Sequence, residues 1–201
     1  MYTINNNSEY ELIIKNSRFI CLLYKINSPI DVDKYLELAK TKYPQATHYC
    51  YAFIINDIKK SSDDKEPKGT AGIPMLKVLD TMNIVNTLAI TVRYFGGILL
   101  GASGLTRAYS KCLTNAIKEN KLLTLIDGYN IDITFDYNQI SLINYLIKDI
   151  KINNKIFDTT VSYNIDIKSS DLSILINNNI NYKYKNTNVF TNVSHQSSQN
   201  H

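Results

Sequence analysis

The chain has 201 residues, 44% hydrophobic and 20% charged, with a formal charge of +4 and a sequence pI near 8.8. That is the balance of an ordinary soluble globular protein of one large or two small domains, and its pI falls short of the value above about 9 expected of a dedicated nucleic-acid domain. No apolar run approaches the length of a bilayer span, and Met1–Asn7 is no basic, apolar leader.

Cys21, Cys50 and Cys112 are odd in number, widely spaced and free of any CxxC, so neither a disulfide framework nor a zinc cluster is expected, and the chain reads as cytoplasmic. The positive surplus is one-sided. Residues 1–127 hold 16 Lys/Arg against 12 Asp/Glu, and residues 128–201 hold 6 against 6.

In chain order, Tyr10–Ile26 reads as extended, interrupted at Asn16-Ser17-Arg18. Ser28-Pro29-Ile30-Asp31 opens a helix with Val32, Leu36, Ala39 and Tyr43 on one face, and Pro44 ends it. His48–Ile55 is an aromatic and β-branched strand, residues 57–68 are a polar loop, Pro74–Met82 is helical, and Thr87–Phe95 is a largely buried strand. After Gly96-Gly97 the period becomes 3.6. Leu105, Ala108, Tyr109, Cys112, Leu113, Ala116 and Ile117 mark an amphipathic helix, with Ser103 or Gly104 as its cap. A fresh pattern follows the boundary near 125–128: strand 131–137, helix 140–150, strands 152–157 and 161–167, a short helix 171–176 capped by Ser169 or Ser170, and strand 182–190. The order β-α-β-β-α-β is that of a ferredoxin-like split βαβ. The reading is two domains, 1–126 and 127–193, with a frayed tail at 194–201.

Residues 93–112, RYFGGILLGASGLTRAYSKC, hold four of the seven glycines and two of the three arginines. The stretch lacks the GK[ST] ending of a Walker loop and the G-x-G of a dinucleotide fingerprint, and Leu105 stands where a nucleophile elbow needs its last glycine. Two readings stay open. Gly96, Gly97, Gly101, Ser103 and Gly104 at a helix start could offer amides to an anion, with Arg93, Arg107, Lys111 and Lys68 as donors. Alternatively the glycines allow a tight turn and close packing while the arginines pair with Asp63, Asp64 or Glu66, and the local sequence favours this. Asp63, Asp64 and Glu66 are weak metal candidates, because their spacing is not a calcium loop and a solvated charged loop explains them as well. His48, beside Tyr49 and Tyr51, reads as a packed, hydrogen-bonded strand residue, and no triad or zinc tetrad is present.

The segments SRF (17–19), ATHYCYA (46–52), SSDDKEPKGTAGIP (61–74) and VRYFGGILLGASGLTRAY (92–109) together resemble the Impact family with its bacterial YigZ-type members. The resemblance covers residues 1 to about 125, and the remainder is similar to the small ferredoxin-like domain of bacterial members. It implies an α+β protein whose first part is a two-layer α/β domain similar to the second domain of ribosomal protein S-five and the fourth domain of the translocation elongation factor. It implies translational regulation through RNA or the ribosome, without a cofactor and without clear enzymatic activity. The partner of the eukaryotic relatives is not carried over, since they engage it alongside a further N-terminal domain. A metal-dependent enzyme on a small anionic substrate and a protein-interaction module are the alternatives. The family pattern D-D-G-E-P is Asp63-Asp64-Lys65-Glu66-Pro67 in this chain; Lys65 puts a cation among the acids where positive φ would come easily to glycine, which favours an ion-paired loop.

Overall fold

The computed structural model describes residues 1–55, 57–125 and 127–187. The chain divides into two compact units, Met1–Leu123 and one beginning at Thr124. The tail expected at 194–201 and the end of the strand expected at 182–190 lie outside the described residues. Among the described residues no helix is long and apolar enough to cross a membrane.

The first unit opens with a short strand β1 (Tyr2–Ile4), which pairs with β7 (Leu122–Thr124). Strands β2 (Ser8–Ile14) and β3 (Ser17–Lys25) form a hairpin whose turn residues, Lys15 and Asn16, both take the positive φ that a tight hairpin turn of the primed type requires. The five-stranded antiparallel sheet runs β2-β3-β6-β4-β5, with β4 at His48–Ile55, β5 at Ile58–Ser62 and β6 at Thr87–Tyr94. Strand β5 corrects the expected loop. It adds itself to the edge by backbone pairing with β4 while Lys59 and Lys60 stay exposed, so no hydrophobic alternation marks it in the sequence.

Helices α2 (Gly72–Thr81) and α3 (Gly101–Glu119) cover one face of this sheet, over Phe19, Cys21, Cys50 and Ala52. Helix α1 (Asp31–Lys42) covers the other, over Ile20, Phe53, Leu88 and Val92. The unit is therefore three-layered rather than two-layered. The central strands are apolar at successive positions, so both faces need a cover. Helix α1 starts later than Ser28-Pro29 suggests: Ser28 N–H donates to Asp31 Oδ2 and Ile30 N–H to Ser28 Oγ, both at 3.3 Å, in the turn before it.

The second unit contains β8 (Gly128–Phe135), α4 (Ile140–Leu146), β9 (Lys151–Phe157), β10 (Val161–Lys168), α5 (Leu172–Asn177) and β11 (Asn181–Thr187). Its antiparallel sheet has the order β11-β8-β10-β9. Strand β8 stops before Tyr137, short of its expected end, because Asp136 and Gln139 form a reciprocal capping box at the 3₁₀ turn Tyr137–Gln139. No side chain caps α5, which continues from the 3₁₀ turn Ser169–Asp171. Ile131, Ile133, Val161 and Ile165 of the strands close a second core with Ile143 and Leu175 of the helices.

Candidate functional site

Strand alternation decides which motif residues meet. Along β4 the even positions 48 to 54 face α2 and α3, and along β6 the odd positions 89 to 93 do the same. Register then pairs His48 with Arg93 and Phe19 with Arg93, making one cross-strand row beneath α3. Helix α3 brings Tyr109 down onto that row, and the loop after β5 brings Glu66.

Glu66 is the hub. Its Oε1 accepts from Arg93 Nη1 at 2.6 Å and from Tyr109 Oη at 2.8 Å, and lies 3.7 Å from His48 Nε2. The side chains of Arg93 and Glu66 are only 6% and 2% exposed. Arg93 Nη2 reaches Ser17 Oγ at 3.5 Å, its guanidinium lies over the rings of Phe19 and Phe95, and its Nε has no partner. This corrects the expectation of Arg93 as an exposed anion donor. Its position on the α3-facing side of a central strand commits the side chain inward, where a buried guanidinium must be matched by a buried carboxylate.

The acidic loop is used in the same inward manner. Asp63 Oδ1 accepts from the N–H groups of Ala71 and Gly72, at 3.0 and 2.8 Å, and Oδ2 from Gly69 N–H at 2.7 Å. Burial works against the Asp63 charge, but the three amides outweigh it and hold the carboxyl below its ordinary pKa. Asp64 Oδ2 accepts from Tyr49 N–H, and its carbonyl accepts from His48 Nδ1, both at 2.7 Å. The three acids thus serve three separate sets of donors and do not converge. Among the described residues no group of three or more metal-ligating side chains gathers around one point. Asp64 and Lys65 both have positive φ, so the backbone takes at Lys65 the conformation that glycine would take most easily. Lys65 is exposed and, among the described residues, is not in the ion pairs; Glu66 and Arg93 form the pair of this loop.

Burial pushes the Cys50 thiol up to about 12, and it donates to the Asp63 carbonyl at 2.9 Å. Burial likewise raises the Tyr109 phenol well above its ordinary range. Neither group is poised as a nucleophile at neutral pH.

The glycines divide by task. A Cβ on Gly96 would collide with the backbone of Asn16 and Ser17, so this glycine lets β6 pass close to the β2–β3 turn, where its N–H donates to Ser17 Oγ at 3.1 Å. Gly97 and Gly101 take positive φ, +81° and +68°, in open space. Between them Ile98 and Leu99 project into solvent, Leu99 at 83% exposure. Helix α3 begins at Gly101, so Ser103 and Gly104 lie inside its first turn and neither caps it. The left-handed residue admits the chain to the helix without a capping side chain.

What remains outside is the solvent face of α3. A rotation of 100° per residue places Ser103, Arg107, Ser110, Lys111, Thr114 and Lys118 within about 60° of one line. That face carries no acid. Among the described residues none of Arg107, Lys111, Lys118 or the loop's Lys68 takes part in an ion pair, whereas Arg18, Lys40, Lys42 and Lys59 do. Beside it a groove of about 570 Å³ runs between α2 and α3. The sequence reading found Arg107, Lys111 and Ser103 but missed Lys118, Lys77 and the hydroxyl row. Extending the buried period of α3 to its complementary positions would have found Lys118 and that row.

The Impact N-terminal domain model matches residues 15–117. The chain belongs to the Impact family. It is 39% identical to the IMPACT family member YvyE of Bacillus subtilis (strain 168), over 62% of this chain and 61% of that one. The chain thus spans less than two thirds of that relative's length. An IMPACT family member of Haemophilus influenzae (strain ATCC 51907 / DSM 11121 / KW20 / Rd) is 36% identical over 68% of this chain and 69% of its own. A crystal structure of a hypothetical protein superposes with a TM-score of 0.62 at 27% identity, covering 90% of this chain and 95% of that one. All four Impact-like segments of the sequence lie wholly or largely on the row, loop and helix just described, so the family's signature in this chain is written around Glu66 and α3.

Proposed function

We propose that this Impact-family chain is a non-enzymatic, translation-associated protein that binds structured RNA or the ribosome through the exposed face of α3. The observation that carries this reading is the acid-free row of Arg107, Lys111 and Lys118 interleaved with hydroxyls, unneutralised among the described residues. Cations and hydroxyls side by side are the groups that contact phosphate backbones. Lys68, next in sequence to Gly69 of the groove lining, adds a further exposed cation. Arg93 supports the reading only indirectly, because its guanidinium is buried against Glu66, while the uncapped glycine turn at the start of α3 leaves its backbone amides beside the row.

The fold analogies belong to this reading. The succession β-α-β-β-α-β and the sheet order β11-β8-β10-β9 support a ferredoxin-like second domain, and the first unit is read as similar to the ribosomal-protein and elongation-factor domains. Function follows from the site rather than the fold, and binding tests it directly. Wild-type protein is expected to sediment with ribosomes at low salt and to leave them at high salt. The triple variant Arg107→Ala/Lys111→Ala/Lys118→Ala is expected to lose the low-salt fraction while unfolding at an unchanged urea midpoint. Equal recovery of both proteins, or no ribosome-bound wild type, would overturn the reading.

A further inference from the structure

We infer that the groove between α2 and α3 is a subsite for an unpaired nucleobase, so that the RNA recognised carries single-stranded bases; this rests on the polyanion reading of α3. Ile73, Pro74, Val78 and Met82 give the groove an aliphatic floor, and Ile73 is 60% exposed. Thr106, Ser110 and Thr114, one turn apart along α3, form the opposite wall. All three are half-buried on this wall, and a hydroxyl can both donate and accept.

Charge complementarity chooses the occupant. Lys77 stands on the α2 rim and the Arg107–Lys111 row flanks the α3 rim. Asp80, the acid nearest in sequence on α2, is turned to Lys59 at 2.6 Å. An apolar floor with cationic rims suits a ligand whose body is flat and weakly polar and whose edges are anionic. The i to i+4 repeat along α3 advances about 6 Å per step, close to the spacing of successive phosphates along a nucleic-acid strand. The volume lies within the ~300–1,000 Å³ range of small-molecule sites and accommodates a nucleoside. Hydroxyl donors and acceptors can then reach base edges, which a duplex keeps buried and a single strand presents.

The test is fluorescence anisotropy with two labelled probes, a 12-nucleotide single-stranded RNA and a 12-base-pair RNA duplex. Wild type is expected to prefer the single strand. Thr106→Leu/Thr114→Leu, which fills the groove from the α3 wall and removes two of its hydroxyls, is expected to weaken single-strand binding about tenfold, in the range of one or two lost hydrogen bonds, and to leave duplex binding within about twofold. Val78→Leu, which fills the floor without adding an aromatic ring, should also weaken single-strand binding selectively. Equal wild-type affinity for both probes, or unchanged single-strand binding in both filled-groove variants, overturns the subsite while leaving the α3 reading intact. Binding of neither probe overturns the subsite, while ribosome sedimentation still decides the α3 reading. Capture by the groove of an acidic amphipathic peptide, blocked by Thr106→Leu/Thr114→Leu and without strand selectivity, would assign the groove to a protein and also overturn the proposal.

Discussion

Glu66 shows how one residue can organise a motif. A single carboxylate oxygen gathers a guanidinium from β6 and a phenol from α3, beside an imidazole from β4. With Arg93 fixed inward by strand alternation, neutralising Glu66 strands a buried cation, and loss of one partner of such a pair costs about 3–5 kcal/mol. Glu66→Gln is therefore expected to lower the urea-unfolding free energy by roughly that amount, while Arg107→Ala on the surface stays within about 0.5 kcal/mol. A Glu66→Gln protein as stable as wild type would show that the hub does not hold the fold. The sequence displayed every member of this hub, and the pairing of an arginine with the acidic loop was legible as one of two options. What it could not display was the direction of Arg93. That depends on which side of β6 meets α3, a fact fixed by the cross-strand register with β3 and β4.

Helix α3 was the most legible element, because its seven apolar positions at 3.6 spacing are the seven buried residues of the helix. Its start was not legible, since entry through the left-handed Gly101 leaves no capping side chain to read. Strand β5 was hidden for the opposite reason: an edge strand gains its place from backbone bonds, and its lysines look like loop. The glycine turn joins these elements. Gly96→Ala would drive a Cβ into the backbone of the β2–β3 turn, and such forced rearrangement typically costs about 1–3 kcal/mol. The variant is expected to lose about 2 kcal/mol in urea unfolding. Stability within 0.5 kcal/mol of wild type, on the order of an ordinary surface change, would mean that the hairpin does not need this close approach.

At the scale of the whole molecule, the positive surplus of the sequence lies in residues 1–127, and α3 gathers three of its cations on one acid-free face that, among the described residues, makes no ion pair. Three-layer packing makes that possible. With α1 on one side of the sheet and α2 and α3 on the other, the buried polar chemistry is consumed by the fold and the outer face of α3 is left free of acids. The composition alone supported only a mild preference for polyanions, because its pI averages paired and unpaired charges. The measurement that bears most directly on this face is the salt dependence of single-stranded RNA affinity. Each phosphate contact contributes about 0.7 to the slope of log K against log salt, so removing Arg107, Lys111 and Lys118 together is predicted to lower that slope by about 2. A slope unchanged between wild type and the triple variant would show that α3 does not meet the nucleic acid.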